Sequence, residues 1–135
     1  MTVNVLETEW WTLELPPEWW ADSEEESILI GDRDDVGCIE ISTLHRDSGV
    51  FSAGEVAQIA EDGSEQRLPW KSVNLGEFSG VAAAWEEEGA AIREWCVADA
   101  GMLLFITYSC DVDHRGLDDA AVDAILATLR VLAPR

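Results

Sequence analysis

Residues 91–110 read Ala-Ile-Arg-Glu-Trp-Cys-Val-Ala-Asp-Ala-Gly-Met-Leu-Leu-Phe-Ile-Thr-Tyr-Ser-Cys. Two apolar runs flank Ala98-Asp99-Ala100-Gly101, which has the composition of a turn. Met102 to Ile106 is apolar at every position, so neither alternate set faces water; such a strand is central and covered on both sides. Just upstream, residues 78–86 form a third run, joined to the second through Glu87-Glu88-Gly89. The spacing predicts an antiparallel meander of strands at about 78–86, 91–97 and 102–110. The Ala82-Ala83-Ala84 stretch has little side-chain bulk and predicts a close approach by a helix or a tryptophan.

Working outward, Asp118 is a candidate cap for a C-terminal helix over 118–132, in which Val122, Ile125, Leu126 and Leu129 share one face and Pro134 follows as a stop. Asp119 and Asp123 suit the positive end of that helix's dipole. Burial of four such side chains contributes roughly 6–12 kcal/mol before entropy, so the helix must dock on the sheet. Upstream, residues 27–31 and 37–43 are apolar strands around the polar turn Asp32-Arg33-Asp34-Asp35, a hairpin. Ser52 with Glu55 three residues later makes a capping box for a helix whose inner face is Val56, Ile59 and Ala60 and whose stop is Gly63. Residues 73–75 are a weak strand. Residues 9–15 alternate, with Trp11, Leu13 and Leu15 on one face and Trp10 on the other. Pro16-Pro17 ends that strand, and Glu18-Trp19-Trp20 is expected as an irregular plug. The prediction is one α+β domain over 1–135: a mainly antiparallel sheet of about six strands covered by two helices in α/β/α layers.

Composition restricts function. The 135 residues carry 28 Asp plus Glu against 8 Lys plus Arg, a formal charge of −20. That disfavours nucleic-acid phosphates and anionic membranes and leaves a basic protein partner, a cation or a neutral ligand. No apolar run approaches the roughly 18 residues of a membrane span. Met1 to Glu7 lacks the basic and apolar regions of a signal peptide, so cytoplasm is the expected compartment. The three cysteines, Cys38, Cys96 and Cys110, form no Cys-x-x-Cys pair and are expected as free, buried thiols.

Catalytic and metal motifs are missing. No Gly-x-Ser-x-Gly, P-loop or Gly-x-Gly-x-x-Gly occurs, and His45 and His114 lie in polar stretches. Asp111-x-Asp113-x-Arg115-Gly116 opens like a calcium loop, but carries Arg115 at its fifth position and Val122 at its twelfth. No metal or cofactor is expected. Glu40 and Glu94 each interrupt an apolar strand, where a half-buried carboxylate could serve as an acid or base, although alternation favours the solvent face.

Tryptophan is the stronger signal. Seven are too many for one small core to bury fully, and Trp19 and Trp20 are adjacent, so both are not expected inside. Acidic runs Glu24-Glu25-Glu26 and Glu86-Glu87-Glu88 each adjoin a tryptophan in sequence. Aromatic anchors ringed by carboxylates suit a basic protein surface. The expected site is therefore Trp10 with Trp19 or Trp20, flanked by Glu24, Glu25, Glu26, Glu86, Glu87 and Glu88, on a monomer or homodimer. The competing class is an enzyme or small-ligand binder using a cleft between sheet and helices, with Glu94, Cys96 and Tyr108 as its first residues.

The order of these elements carries a resemblance. Trp11-Thr-Leu-Glu-Leu-Pro-Pro-Glu-Trp19, Gly37-Cys-Ile-Glu-Ile-Ser42, Phe78-Ser79-Gly80, Trp95 and Phe105-Ile-Thr-Tyr-Ser109 before an amphipathic helix together resemble the Mog/PsbP-like superfamily of small α/β/α domains. The resemblance spans about residues 9–132, and its motifs are structural. It implies binding of partner proteins without shared chemistry, and among its roles a bacterial adaptor, chaperone or immunity-type protein.

Overall fold

Ten strands and two helices make up the computed structural model, which describes residues 4–25, 27–64 and 67–132. The strands are β1 (Asn4–Glu7), β2 (Trp11–Leu15), β3 (Trp19–Ser23), β4 (Ser27–Asp32), β5 (Gly37–His45), β6 (Lys71–Leu75), β7 (Phe78–Glu87), β8 (Ala90–Asp99), β9 (Met102–Asp111) and β10 (Arg130–Val131). The helices are α1 (Ala53–Asp62) and α2 (Asp119–Leu126). Seven strands form one antiparallel sheet in the order β3-β4-β5-β9-β8-β7-β6. The doubly apolar strand β9 sits at its centre, as its composition predicts. A second antiparallel sheet, β1-β2-β10, lies over one face of the first.

Pairing register assigns every sheet residue to a face. Ile39, Ile41, Leu104, Ile106, Tyr108, Trp95 and Val97 share the inner face. They pack with Trp11, Leu13 and Leu15 of β2 and with Val122, Ile125 and Leu126 of α2 in the main core. On the outer face Cys96, Ala98 and Leu103 take Val56 and Ala60 of α1. The Ser52–Glu55 capping box that starts α1 is present: Ser52 Oγ accepts from Glu55 N at 3.1 Å and Glu55 Oε1 from Ser52 N at 3.2 Å. Helix α1 lies against β7 and β8, the strands around the alanine run.

Three local expectations change. Glu18-Trp19-Trp20 is no irregular plug: Trp19 opens the edge strand β3, paired along its length with β4. With β3 the large sheet has seven strands, in keeping with the about six expected, and the small sheet adds β1, whose four residues are too short to show alternation. The last helix ends at Leu126, not at 132. Beyond it, backbone and side-chain partners from distant segments take the chain: Leu129 O accepts from Glu77 N at 3.1 Å, Glu77 Oε1 from Val131 N at 2.8 Å, and Trp10 O from Leu132 N at 2.9 Å. Gly76, at φ +60°, makes the first of these possible, because a Cβ there would lie 2.0 Å from Leu129 O. Leu129 is fully buried as the helical spacing requires, but from outside the helix. Asp118 precedes α2 without a capping hydrogen bond from its side chain, and accepts instead from the Tyr108 hydroxyl at 2.9 Å.

Candidate functional site

Strand β4 begins at Ser27, opposite Ser42, so Thr43, Leu44 and His45 of β5 run on beyond the reach of β4. The space left there is a groove of about 1010 Å³. Its walls come from the β1–β2 turn, from the β3–β4 turn, and from the outer face of β5 and β9.

Thr8 shapes the first wall. Its Oγ1 donates to Trp11 O at 2.9 Å and accepts from Trp11 N at 2.9 Å and Trp10 N at 3.2 Å. This tight turn lifts Trp10 out of the strand, where its ring tilts against His45 at a centroid distance of 4.3 Å and stays 43% exposed. Trp11, one residue on, is 1% exposed and donates its indole N–H to Thr43 Oγ1 at 3.1 Å. The pair Trp19–Trp20 divides in the same way. Trp19 is 8% exposed in the core, which removes it as a surface anchor, whereas Trp20 is 42% exposed. Trp20 lies flat over Gly31, where a Cβ would come within 2.6 Å of its Cζ2, and donates to Asp32 O at 3.2 Å. Trp20 is not among the groove residues.

The charge of the groove has one sign. Glu7, Glu9, Glu24, Glu25 and Glu40 line it together with Trp10, Leu44 and Phe105, and among the described residues no Lys, Arg or His does, whereas His45 and Arg46 line the adjoining cavity that shares Glu7, Glu9 and Trp10. Among the described residues none of these carboxylates is in an ion pair. Glu40 Oε2 accepts from Ser27 Oγ at 2.9 Å. The ion pairs lie elsewhere: Arg46 with Glu55, Arg93 with Asp119 and Asp123, and Arg115 with Glu86. Beside the groove Arg46 is engaged twice over, bidentate to Glu55 and stacked on Phe51 at 4.1 Å. That contact, with the Ser52 N–H, pulls the Glu55 carboxyl down to about 2.

The expected constellation is thus only partly assembled. Trp10, Glu24 and Glu25 meet in the groove. Glu26 lies outside the described residues. Glu86, Glu87 and Glu88 sit at the β7–β8 turn, near the strand ends that carry Gly37 and Cys110, whereas the groove is at the Leu44–Met102 end. Glu7 and Glu9 belong to the site and carry no sequence signal, because β1, which leads into their turn, is only four residues long and shows no alternation. Glu40 interrupts an apolar strand, and its side chain is on the exposed face, as alternation favours.

The competing constellation is not assembled either. Glu94 and Cys96 project from the outer face of the sheet and Tyr108 from the inner face, so the sheet separates them. Burial raises the Glu94 carboxyl. Burial, helped by Glu94, pushes the Cys96 thiol up to about 12, which makes it inert. Tyr108 is raised by burial and by its bond to Asp118. The cysteines are free thiols, with Cys96 and Cys110 buried and Cys38 half-buried. Among the described residues no group of His, Cys, Asp and Glu is placed to hold a metal ion, and no helix is long and apolar enough to cross a membrane.

No protein-family model matches the chain, and no curated protein matches it in sequence. Solved structures do share its fold. LpqN of Mycobacterium tuberculosis, described as involved in cell envelope biogenesis, superposes with a TM-score of 0.61 at 16% identity, over 98% of this chain and 91% of LpqN. A protein of Bacteroides thetaiotaomicron superposes with a TM-score of 0.67 at 15% identity over 92% of this chain, which spans only 46% of that protein's length. A cyanobacterial PsbP from Synechocystis gives 0.49 at 13% identity over 96% of the chain. What the chain shares with LpqN and the Bacteroides protein is the fold alone.

Proposed function

We propose that the chain is a non-enzymatic binding domain whose groove takes a basic segment of a partner protein. The observation that carries this reading is the groove's uncompensated charge: Glu7, Glu9, Glu24, Glu25 and Glu40 around Trp10, with no cation among the lining residues. Carboxylates that could have been neutralised by the chain's own arginines are instead left for another molecule. Long-range attraction from a net charge of −20 raises the association rate, and the close groove carboxylates decide which segment fits. Trp10 supplies the desolvated contact, over which an arginine or an apolar side chain stacks. The three free thiols support a reducing compartment, and the cytoplasm is the proposed one.

A lysine- and arginine-rich peptide titrated into the full chain tests the reading. Binding should perturb the Trp10 indole resonance and weaken as salt rises. The double reversal Glu9→Lys with Glu25→Lys should reduce affinity at least about tenfold, since each removes an attraction and adds a repulsion. A peptide that binds both proteins alike, or neither, overturns the site.

A further inference from the structure

We infer that the partner's basic segment is extended and adds to the large sheet as an eighth strand alongside β3. The inference rests on the groove reading and names the form of the segment that reaches it. Its own observations are the free edge of β3 and the charges along that edge.

Strand β3 ends the sheet order, and no described strand pairs with its second edge. Two hydrogen bonds fix which backbone groups point outward. Arg33 N donates to Glu18 O at 3.1 Å and Glu24 N donates to Ser27 O at 2.8 Å. Alternation in an antiparallel pair then turns the backbone groups of Glu18, Trp20, Asp22 and Glu24 towards β4, and those of Trp19, Ala21 and Ser23 outward. Trp19 N is taken by Pro16 O at 3.0 Å. Among the described residues nothing takes the Trp19 carbonyl or the outward groups of Ala21 and Ser23, which suits them to a new strand.

Side chains along the edge choose the occupant. Ala21 to Glu25 are all exposed, and Asp22, Glu24 and Glu25 bring negative charge to it. A second copy would set this acidic edge against itself, and like charges across a strand pair repel. The same charges attract a basic segment. The opposite edge of the sheet, β6, contains Lys71, the only lysine, with Pro69 just before it, and lacks an acidic residue. An added strand would run past Ser23 directly to Glu24 and Glu25, which wall the groove. On the outer face it would lie beside Trp20 and Asp22, which favours an arginine there. Ala21 leaves room on the other face.

The test uses the full chain and a capped peptide, Lys-Val-Lys-Val-Lys-Val-Lys, beside the same peptide N-methylated at every backbone nitrogen. Both peptides have the same charge and side chains, but only the first can donate backbone hydrogen bonds. The expected result is slowed hydrogen exchange at the Ala21 and Ser23 amides with the first peptide, and about tenfold weaker binding of the second. Equal binding of both, with Ala21 and Ser23 unprotected, overturns the added strand. The groove reading still stands in that case if Glu9→Lys with Glu25→Lys weakens both peptides. Failure of both peptides to bind overturns the two readings together.

Discussion

The interior of the β5–β9 region and the open groove at its end treat the same residue types in opposite ways. On the inner side Trp11 and Trp95 are buried, and Arg93 reaches across to Asp119 at 3.4 Å and Asp123 at 2.6 Å while its guanidinium lies 4.7 Å over the Trp95 ring. At the groove Trp10 is exposed, and among the described residues its neighbouring carboxylates are in no ion pair. An acid paired within the chain stabilises the fold; an acid left unpaired beside an exposed aromatic costs stability and is available to a partner. The difference separates the charge that holds this protein together from the charge offered outward.

The largest expected effect sharpens that contrast between neighbours in sequence. Trp11→Ala should cost about 3–5 kcal/mol, because it leaves a cavity under β2 and orphans the Thr43 hydroxyl contact. Trp10→Ala should cost under about 1 kcal/mol and act on peptide affinity instead. Denaturant unfolding of the two variants measures the difference, and comparable losses would break the comparison. Next in size, Arg93→Met should destabilise by about 1–2 kcal/mol, the figure kept low because both carboxylate partners are half exposed and screened. Reversing Glu9 and Glu25 to lysine should leave the unfolding free energy within about 0.5 kcal/mol of the parent.

The sequence made the centre of the sheet legible and its margins opaque. Strands β7, β8 and β9 are long, apolar and joined by short turns, so their periodicity and their partners are both local. The Ser52–Glu55 box is legible for the same reason, since both halves lie within one helical turn. Strands β1, β3 and β10 are too short to show a period, and β10 in addition pairs with β2 from the other end of the chain. The end of α2 shows the limit most clearly: Leu129 satisfies the helical spacing, yet Glu77 N, some fifty positions away, donates to its carbonyl, with Gly76 leaving room for the approach. At the site, the surplus of tryptophan was legible as a count. Which of each pair faces water depends on Thr8 in one case and on the pairing of β3 with β4 in the other.

Asp32 offers a smaller test on the buried side, where one carboxylate is not rewarded. It is 8% exposed. Burial raises its carboxyl from 3.8, with Asp118 and Asp34 adding to the rise, while N–H groups of Asp35 and Val36 oppose it. A raised folded value means that the charged form is held less well in the folded chain than in the unfolded one. This cost is complete above the folded pKa and fades as the pH falls towards the unfolded value. Asp32→Asn keeps an oxygen for the Asp35 N–H, which donates to Oδ1 at 3.0 Å. The variant should therefore melt higher than the parent at neutral pH, by less than the Arg93 effect, with the gain vanishing by about pH 3. A variant that melts lower at neutral pH would place Asp32 among the acids that stabilise the fold.

The smallest effect concerns the groove charges themselves. If Glu7, Glu9, Glu24, Glu25 and Glu40 repel one another without a cation, neutralising two of them should stabilise the free chain. Glu9→Gln with Glu25→Gln should gain a few tenths of a kcal/mol at about 0.01 M salt, where the Debye length is about 30 Å, and close to nothing at about 1 M, where it is about 3 Å. The same neutralisation should weaken a basic peptide most at low salt, so that stability and affinity move in opposite directions. A stability loss at low salt would mean that these carboxylates hold the groove's walls together, and the division between charge that folds and charge that binds would fail where it matters most.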